Sequence, residues 1–387
     1  MVKESEVSAA TEFTIMFHNT SRTVNLIGFN VLNAEWRPNW RTALTFFVIA
    51  GSLFILGCTL RGRTSNIIEF FQVLPFGMLQ VQGMHKIIVR IARPQDYYNL
   101  YVKSKEIFEL LNENKNNNLV LYKSLKIATN LQKLMYAMYL TTVIFLDVMP
   151  ICVWMILGER ILAVPLFMPL VDETTVEGFV ANYVSHLMML LIAACGFVSI
   201  DCMFLAFVIP IAAYANAIEG EVQQLNDLLE QPKRDEKKIE EKCNLLYKVH
   251  QTLLEYESLL EDHNNIVMLL KVASIILGMI TNIIVIFKSS FPQAYFLITI
   301  FFVQLTQYCL MGTVVTVKNE QMLKHLYNIN WHLLPPKHAK HLVLILHQAQ
   351  NASSVTIGRF AELNVESYVS VLKTIYTYVM MLATFME

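Results

Sequence analysis

Charged residues are scarce in this chain. They make up 16 % of its 387 residues, while 55 % are hydrophobic, against roughly 25 % charged and 45–50 % apolar in soluble domains. This balance excludes a single soluble domain. Positive charge is not in excess either, because the formal net charge is -1. A field that would attract a phosphate backbone is therefore missing, and nucleic acid is not an expected partner.

The common catalytic motifs are also missing. The chain has no Walker loop, no G-x-G-x-x-G, no H-E-x-x-H, no G-x-S-x-G and no C-x-x-C, so we expect neither an enzyme nor a cofactor. Residues 1–40 are mixed and polar, so we expect no cleaved signal peptide. Five of the six cysteines fall in apolar runs and the sixth in a charged helical stretch, which argues against an extracellular disulfide framework: Cys58, Cys152, Cys195, Cys202, Cys309 and Cys243.

Long apolar runs are what the chain has instead. A helix needs roughly 20 apolar residues to cross a bilayer, and seven segments approach that length. They are residues 42–60, 67–89, 134–157, 183–213, 266–287, 294–317 and 365–385, the last being semi-polar. The sequence therefore predicts an all-α membrane protein with seven transmembrane helices.

Loop charges predict how these helices are oriented, because Lys and Arg accumulate in short cytoplasmic loops. Basic residues are frequent before the first span, between the second and third, and after the sixth, and they are few in the other loops. The N-terminus is then cytosolic and the C-terminus extracellular. The glycosylation sequons at Asn19 and Asn351 fall on the cytosolic side in this topology, so we expect them to be unmodified.

The pattern divides the chain into six parts. A cytosolic arm (1–41) precedes helices 1–4 (42–213), cytosolic helical extensions (214–264), helices 5–6 (265–317), a cytosolic anchor segment (318–360) and helix 7 (361–387). The extensions carry apolar residues at helical spacing on both sides of Pro232, which predicts two helices broken there. The two cytosolic parts are either solvated helical hairpins or an oligomerisation surface. His338 and His341 are three residues apart, but without a nearby Cys or carboxylate they indicate surface histidines more than a metal site.

Ionisable residues at membrane depth are candidates for function, because burying them there is expensive. They are Glu69, Asp147, Asp201 and Lys271. Asp201 and Lys271 both lie near the cytosolic interface, which favours a bond between their helices. Asp147 lies in the outer half of span three, where it could border a ligand cavity.

The last span carries a stripe of small hydroxyls at helical spacing that becomes apolar toward its outer end: Ser367, Ser370, Thr374, Thr377, Met381 and Phe385. Hydroxyls could solvate a passing ion, and Met381 with Phe385 could close a pore by dewetting. The same stripe could equally pack against neighbouring helices.

Aromatic and Met residues are concentrated in the outer halves of spans two, three, four and six. They could be ordinary bundle packing, or they could line an apolar pocket for small lipophilic molecules. The candidates are Phe70, Phe71, Leu74, Phe76, Phe145, Met149, Tyr183, His186, Met189 and Tyr295.

The last seventy residues resemble a known family, the insect odorant receptors. The motifs that carry the resemblance are Leu-Tyr-Asn-Ile-Asn-Trp at 326–331, Gln-Ala-Gln at 348–350, and SYVSVLKTIYTYVMML at 367–382. The ending also resembles that of the related gustatory receptors, but Thr384 stands where their pattern has Gln, which favours the odorant branch.

The resemblance implies a tetrameric, odorant-gated, non-selective cation channel whose central pore is lined by the last helix. Matched on Thr377-Tyr378, the gate would fall on Met381 and Phe385, with Thr384 beside it. The length of the chain resembles that of a ligand-tuned subunit, which implies a shared co-receptor as partner, a small volatile odorant as ligand, and a place in the plasma membrane of sensory-neuron dendrites. A gustatory-type channel of the same fold and, from another class, a G-protein-linked receptor are the alternatives.

Overall fold

The computed structural model describes residues 8–30, 32–64, 66–169, 171–172, 175–289 and 291–385. Helices dominate these residues, as the sequence predicts. In chain order they are α1 (Ala9–Leu26), α2 (Trp40–Gly62), α3 (Ile67–Ala92), α4 (Pro94–Asn112), α5 (Asn118–Leu157), α6 (Val176–Glu230), α7 (Glu236–Lys288), α8 (Pro292–Tyr327), α9 (Pro336–Ala349) and α10 (Val365–Phe385). Short 3-10 turns lie at Lys115–Asn117 and Trp331–Leu333. One antiparallel hairpin precedes α10, with Thr356 of β1 (Thr356–Ile357) opposite Glu362 of β2 (Ala361–Glu362).

Six of the seven predicted spans lie in helices long and apolar enough to cross a bilayer: α2, α5, α6, α7, α8 and α10. The other predicted span, residues 67–89, forms α3. This helix has 26 residues, but it is not among the candidate spans. Its length suffices for a bilayer, while polar residues such as Gln72, Gln80, Gln82 and Lys86 interrupt its apolar sequence. α3 packs along α7 and α2, which gives these polar groups protein neighbours.

The predicted break at Pro232 is confirmed. α6 ends at Glu230 and α7 begins at Glu236, where the Asp235 side chain accepts a hydrogen bond from the Lys238 backbone N–H at 3.3 Å. Such a cap satisfies one of the free donors at a helix start. Both helices run without interruption from the apolar spans into the charged stretch, as predicted.

The centre of the fold is the second part of α6. Residues 198–218 are buried on every side except at the half-buried Ala212 and Asn216, enclosed by α1, α4, α5, α7 and α8. A helix that is hydrophobic all round is expected at such a position. We refer to α6 residues 198–230 and the helices around them as the solid half, and to α6 residues 176–197 and their surroundings as the hollow half.

Close helix packing in the solid half depends on one glycine of α8. A Cβ on Gly312 would lie 1.7 Å from the carbonyl oxygen of Leu363, in the segment that leads from β2 into α10. Only glycine lets these two backbones approach so closely. The same approach places the start of α10 on α8, where the Val365 N–H donates to the Thr313 hydroxyl at 3.1 Å.

Two residues of the Leu-Tyr-Asn-Ile-Asn-Trp motif have a structural role at the far end of the solid half. Asn226 of α6 donates through its side-chain amide to the Asn328 carbonyl and accepts from the Asn330 N–H, both at 2.9 Å. These bonds give hydrogen-bond partners to backbone groups just beyond the end of α8. The motif therefore fastens α8 to α6.

The two histidines considered for a metal site differ in environment. His338 is buried beside Tyr247, whose hydroxyl donates to the His338 carbonyl at 3.0 Å, whereas His341 is exposed. The expectation of two surface histidines is therefore wrong for His338, because α9 docks that face on α7. The described residues contain no cluster of three or more potential metal ligands.

Glu257 of α7 is an uncompensated acid in the solid half. One carboxylate oxygen accepts from the Asn319 amide at 3.0 Å, and the other is buried without a hydrogen-bond partner. Burial raises the pKa of Glu257 to about 8, because loss of hydration penalises the charged form.

Candidate ligand-binding site

The hollow half contains a partly open cavity of about 170 Å³. Five helices line it, through residues within 45–52 of α2, 76–87 of α3, 139–146 of α5, 189–200 of α6 and 297–304 of α8. Most of the lining side chains are apolar. Small residues of α6, among them Ala193, Ala194 and Gly196, leave the space that larger side chains would fill.

The loop between α5 and α6 closes one end of the cavity. Its residues 158–169 turn back into the bundle, where Leu166 is fully buried and Val164 lines the cavity. Three polar side chains hold its backbone, each within 3.1 Å of one main-chain atom of the loop: Thr59 at the Phe167 N–H, Asn182 at the Met168 N–H, and His186 at the Leu166 carbonyl. We call residues 158–169, held in this way beside the cavity, the lid.

Polar groups are few in the lining, and two of them lack protein partners. The side-chain carbonyl oxygens of Gln80 in α3 and Gln304 in α8 are buried and make no hydrogen bond within the protein. By contrast, the hydroxyls of Thr45 and Ser52 in α2 donate to backbone carbonyls at 3.2 and 2.8 Å. The cavity is thus an apolar space whose lining includes two glutamines with unpartnered carbonyl oxygens.

A buried charged cluster forms the floor of the hollow half, and its centre is Asp201 of α6. Lys86 of α3 and Lys271 of α7 each place their ammonium 3.2 Å from Asp201 Oδ1. The bond predicted between Asp201 and Lys271 is therefore confirmed. Sequence analysis did not identify Lys86, because it lies at the polar end of α3.

Two tyrosines complete the cluster. The Tyr139 hydroxyl of α5 donates to Asp201 Oδ2 at 2.6 Å, and the Tyr308 hydroxyl of α8 donates to Oδ1. Asp201 therefore joins α6 to α3, α5, α7 and α8 at one point. Because the three charged side chains are almost completely buried, each depends on its partners for stabilisation. Tyr139 also lines the cavity above.

Of the ten residues predicted to form a pocket, two line the cavity. They are Phe76 and Met189. His186 and Tyr183 serve other contacts, the first to the lid and the second through a hydroxyl that donates to the Asp147 carbonyl at 2.9 Å. The others do not line it: Phe145 and Tyr295 are exposed, and Phe70, Phe71, Leu74 and Met149 are partly buried outside it. A role of these residues in ligand binding stays a prediction.

The remaining ionisable candidates make local contacts. Glu69 accepts from Arg63 at 2.9 Å near the start of α3. Asp147 is half-buried and does not line the cavity. The sequence criterion of charge within a span therefore found the pairing of Asp201 with Lys271, whereas Asp147, expected beside a ligand cavity, does not line this one. It did not select Gln80, Tyr139 or Gln304, because uncharged polar residues are common in membrane helices.

α10 leaves most of its surface uncovered by the rest of the chain. Only Ile375 and Val379 are buried, against α7 and α8. The predicted pore residues Thr377, Met381, Thr384 and Phe385 all lie on the exposed surface, with Phe385 80 % exposed. Within the stripe, the hydroxyls of Thr374 and Thr377 donate to the Ser370 and Lys373 carbonyls one turn back, at 2.9 and 3.0 Å. Their role as pore and gate stays a prediction.

The fold and the site define a multi-pass helical membrane protein with an apolar cavity between its helices. Comparison with protein families gives a narrower class. The family described as 7tm Odorant receptor matches residues 66–376 of this chain. This match covers most of the chain, from the start of α3 into α10. The chain therefore belongs to the odorant receptor family, which is a family of receptors, and the resemblance seen in the sequence is confirmed.

Individual relatives are distant in sequence but similar over their whole length. Odorant receptor 83c of Drosophila melanogaster is 22 % identical over 390 residues, which cover 97 % of this chain and 98 % of the relative. The solved structure of the olfactory receptor OR5 from the insect Machilis hrabei matches with a TM-score of 0.75 at 14 % identity, over 96 % of this chain and 97 % of that one. The same receptor in complex with eugenol matches at 0.76 and 15 % identity, over 97 % of both chains. These structures confirm the fold.

Proposed function

We propose that this chain is the odorant-binding subunit of a heteromeric, odorant-gated, non-selective cation channel. The observation that carries the proposal is the position of α8, which contacts the three parts that such a channel needs. Gln304 lines the cavity, Tyr308 joins the Asp201 cluster, and the Thr313 hydroxyl accepts from the first residue of α10. Binding in the cavity can thereby be transmitted to the exposed last helix.

The cavity has the size and polarity for a small volatile ligand. Its volume is about 170 Å³, and an apolar cavity of about 150 Å³ is known to hold benzene. A related receptor of the same fold has been solved in complex with eugenol, which supports a small volatile odorant as the ligand. Because the lining residues are held in different helices, a ligand that fits one arrangement of these helices better shifts the population toward it.

The exposed surface of α10 supports the assembly around a pore. Only 11 % of the apolar stretch of α10 is buried inside its own chain. The rest of its surface is available for further subunits. We propose that it faces the axis of a tetramer formed with a co-receptor subunit. Thr377 and Thr384 would solvate the ion, and Met381 with Phe385 would close the path by dewetting. The parts at 214–264 and 318–360 would form the anchor between subunits.

The proposed placement is the plasma membrane of sensory-neuron dendrites, with the N-terminus in the cytosol. Lys and Arg are in excess in the N-terminal arm, between the second and third spans, and after the sixth span, which supports this orientation. A C-terminal tag should then bind antibody on intact cells, and the sequons at Asn19 and Asn351 should carry no sugar. Sugar on either sequon would contradict the topology. A G-protein-linked receptor with an extracellular N-terminus requires the opposite tag result.

The test of the function is whole-cell current from cells that express this chain alone or with an insect odorant co-receptor, during application of volatiles. We expect a rapid cation current only in the paired cells. A response of this chain alone to sugars or bitter compounds would favour a gustatory-type channel. Silence in both, with the chain detected at the cell surface, would contradict the proposal.

The gate can be tested by shortening the two apolar side chains at the end of α10. Met381→Ala and Phe385→Ala should each raise the basal current, because a wider and less apolar constriction stays wet. Met380→Ala is the matched control, since it removes the neighbouring methionine outside the stripe. Unchanged basal and evoked currents in both gate variants would place the gate elsewhere.

A further inference from the structure

The two glutamines in the cavity are unusual for an apolar lining. The Gln304 side chain is only 3 % exposed, and the carbonyl oxygens of Gln304 and Gln80 have no hydrogen-bond donor within the protein. Three other polar side chains of the lining do have partners within the protein. The hydroxyls of Thr45, Ser52 and Tyr139 each donate to a protein acceptor. Leaving a buried acceptor without a donor is unfavourable.

The orientation of the Gln304 amide follows from its neighbour. The hydroxyl proton of Tyr139 is donated to Asp201 at 2.6 Å, so the phenol oxygen can only accept from a further partner. Gln304 lines the same cavity as Tyr139, and its amide nitrogen is the group able to donate to this phenol oxygen. The carbonyl oxygen of Gln304 has no donor within the protein and is left for a different partner.

We propose that this cavity selects small odorants that carry a hydroxyl group, with the hydroxyl donating to the carbonyl oxygen of Gln304 and a second acceptor available at Gln80. The inference rests on the proposed function, because it takes the cavity as the odorant site. The apolar remainder of the lining holds the hydrocarbon part of the ligand by shape. Alcohols and phenols of about the size of one aromatic ring are the ligand class that fits.

The charged cluster lies next to the proposed contact. Gln304 and Tyr139 both line the cavity, and Tyr139 is bonded to the aspartate that joins five helices. Hydrocarbons of the same shape can fill the cavity but leave the carbonyl oxygen of Gln304 without a donor.

The test compares pairs of compounds in which a methyl group replaces the hydroxyl: phenol with toluene, and p-cresol with p-xylene. Binding is measured by the thermal stabilisation of the full-length chain in nanodiscs, and activation by the current in cells that also express the co-receptor. We expect the hydroxyl compound of each pair to bind about tenfold more tightly, as one buried hydrogen bond allows. Benzaldehyde, which only accepts, should resemble the hydrocarbons.

The variant that removes the acceptor is Gln304→Met, which keeps the length of the side chain. It should reduce the preference within each pair to about equality, while binding of toluene and p-xylene is retained. Gln307→Met is the matched control on the same helix, because Gln307 does not line the cavity. The control should keep the preference, and retained binding of the hydrocarbons shows that Gln304→Met is folded.

The outcomes separate this inference from the proposed function. Tighter binding of the hydroxyl compounds without any evoked current would support the ligand class and contradict the channel. Currents without preference within the pairs, or a preference that survives in Gln304→Met, would overturn the ligand class and leave the channel standing. A preference for benzaldehyde over phenol would also overturn it, since the amide would then be a donor to the ligand. Failure of all five compounds to bind would overturn it as well.

Discussion

The two halves of α6 lie in one continuous helix but in opposite surroundings. Residues 198–218 are buried almost without interruption, whereas residues 189–197 are half-buried or exposed around a cavity. In the solid half, large side chains of five helices fill the space, and the buried carboxylates of Asp201 and Glu221 have cationic partners. In the hollow half, small residues of the same helix leave a space with unpaired acceptors. We infer that the solid half serves stability and the hollow half the proposed ligand binding.

The largest effect is expected at the junction of the two halves. Asp201→Asn keeps the shape of the side chain but leaves Lys86 and Lys271 buried without a counter-ion. We expect a loss of about 3–5 kcal/mol in unfolding free energy, measured by thermal unfolding in detergent and by surface expression. Asp147→Asn, in the hollow half, is the control and should change little. Equal effects of the two variants would contradict the special position of the cluster.

Glu257 offers a way to strengthen the solid half. Its pKa is raised from 4.5 to about 8 by burial, so between these values the folded chain holds a proton that the unfolded chain has lost. Stability therefore falls as pH rises through that window. Glu257→Gln removes this loss and should stabilise the protein by a few kcal/mol above pH 8, since each pKa unit is about 1.4 kcal/mol. The gain should decrease as the pH is lowered toward 5.

The control for Glu257→Gln is Glu255→Gln, two residues away. Glu255 is largely exposed and paired with Lys103 at 2.5 Å, which lowers its pKa. Its replacement should give no gain at any pH. A pH-independent stability difference between Glu257→Gln and the natural chain would show that Glu257 is charged in the fold.

Two glycine substitutions compare the halves directly. Gly312→Ala places a methyl group against the Leu363 backbone in the solid half and should cost about 1–3 kcal/mol through overpacking. Gly83 lines the cavity, and a Cβ added there meets no atom within 4 Å. Gly83→Ala should be neutral or stabilising by up to about 1 kcal/mol, because alanine favours a helix more than glycine does. A larger loss from Gly83→Ala in thermal unfolding would contradict the account of the hollow half.

The sequence predicted best those features that are local in the chain or carried by charge. The break at Pro232, the helices that continue from the spans, and the bond between Asp201 and Lys271 are confirmed. Each follows from a strong rule, either the backbone restriction of proline or the high cost of an unpaired charge in the membrane. The stripe of α10 also follows from periodicity, and from Ser370 to Phe385 it lies on the exposed surface of the helix.

The lining of the cavity could not be predicted in the same way. Aromatic residues are as common on surfaces that face lipid as in pockets, so composition did not separate Phe76, which lines the cavity, from Phe145, which is exposed. The outcome depends on the rotation of each helix against its neighbours. That rotation is fixed by distant contacts, such as those of Tyr139 and Tyr308 with Asp201, which no short segment encodes. Polar uncharged residues within the spans were the usable signal for Gln80 and Gln304.

A volatile that acts from within the hollow half should lose its effect when the cavity is filled, and this tests the proposed function most directly. Ala193→Phe places a ring in the lining, while Leu191→Phe adds the same ring to the exposed side of α6. The measurement is the volatile-evoked current of each variant in cells that express the co-receptor. Ala193→Phe should abolish the response or shift it to at least about tenfold higher concentration, as the loss of one good contact allows, while Leu191→Phe keeps it. An unchanged response of Ala193→Phe, with normal surface expression, would contradict the claim.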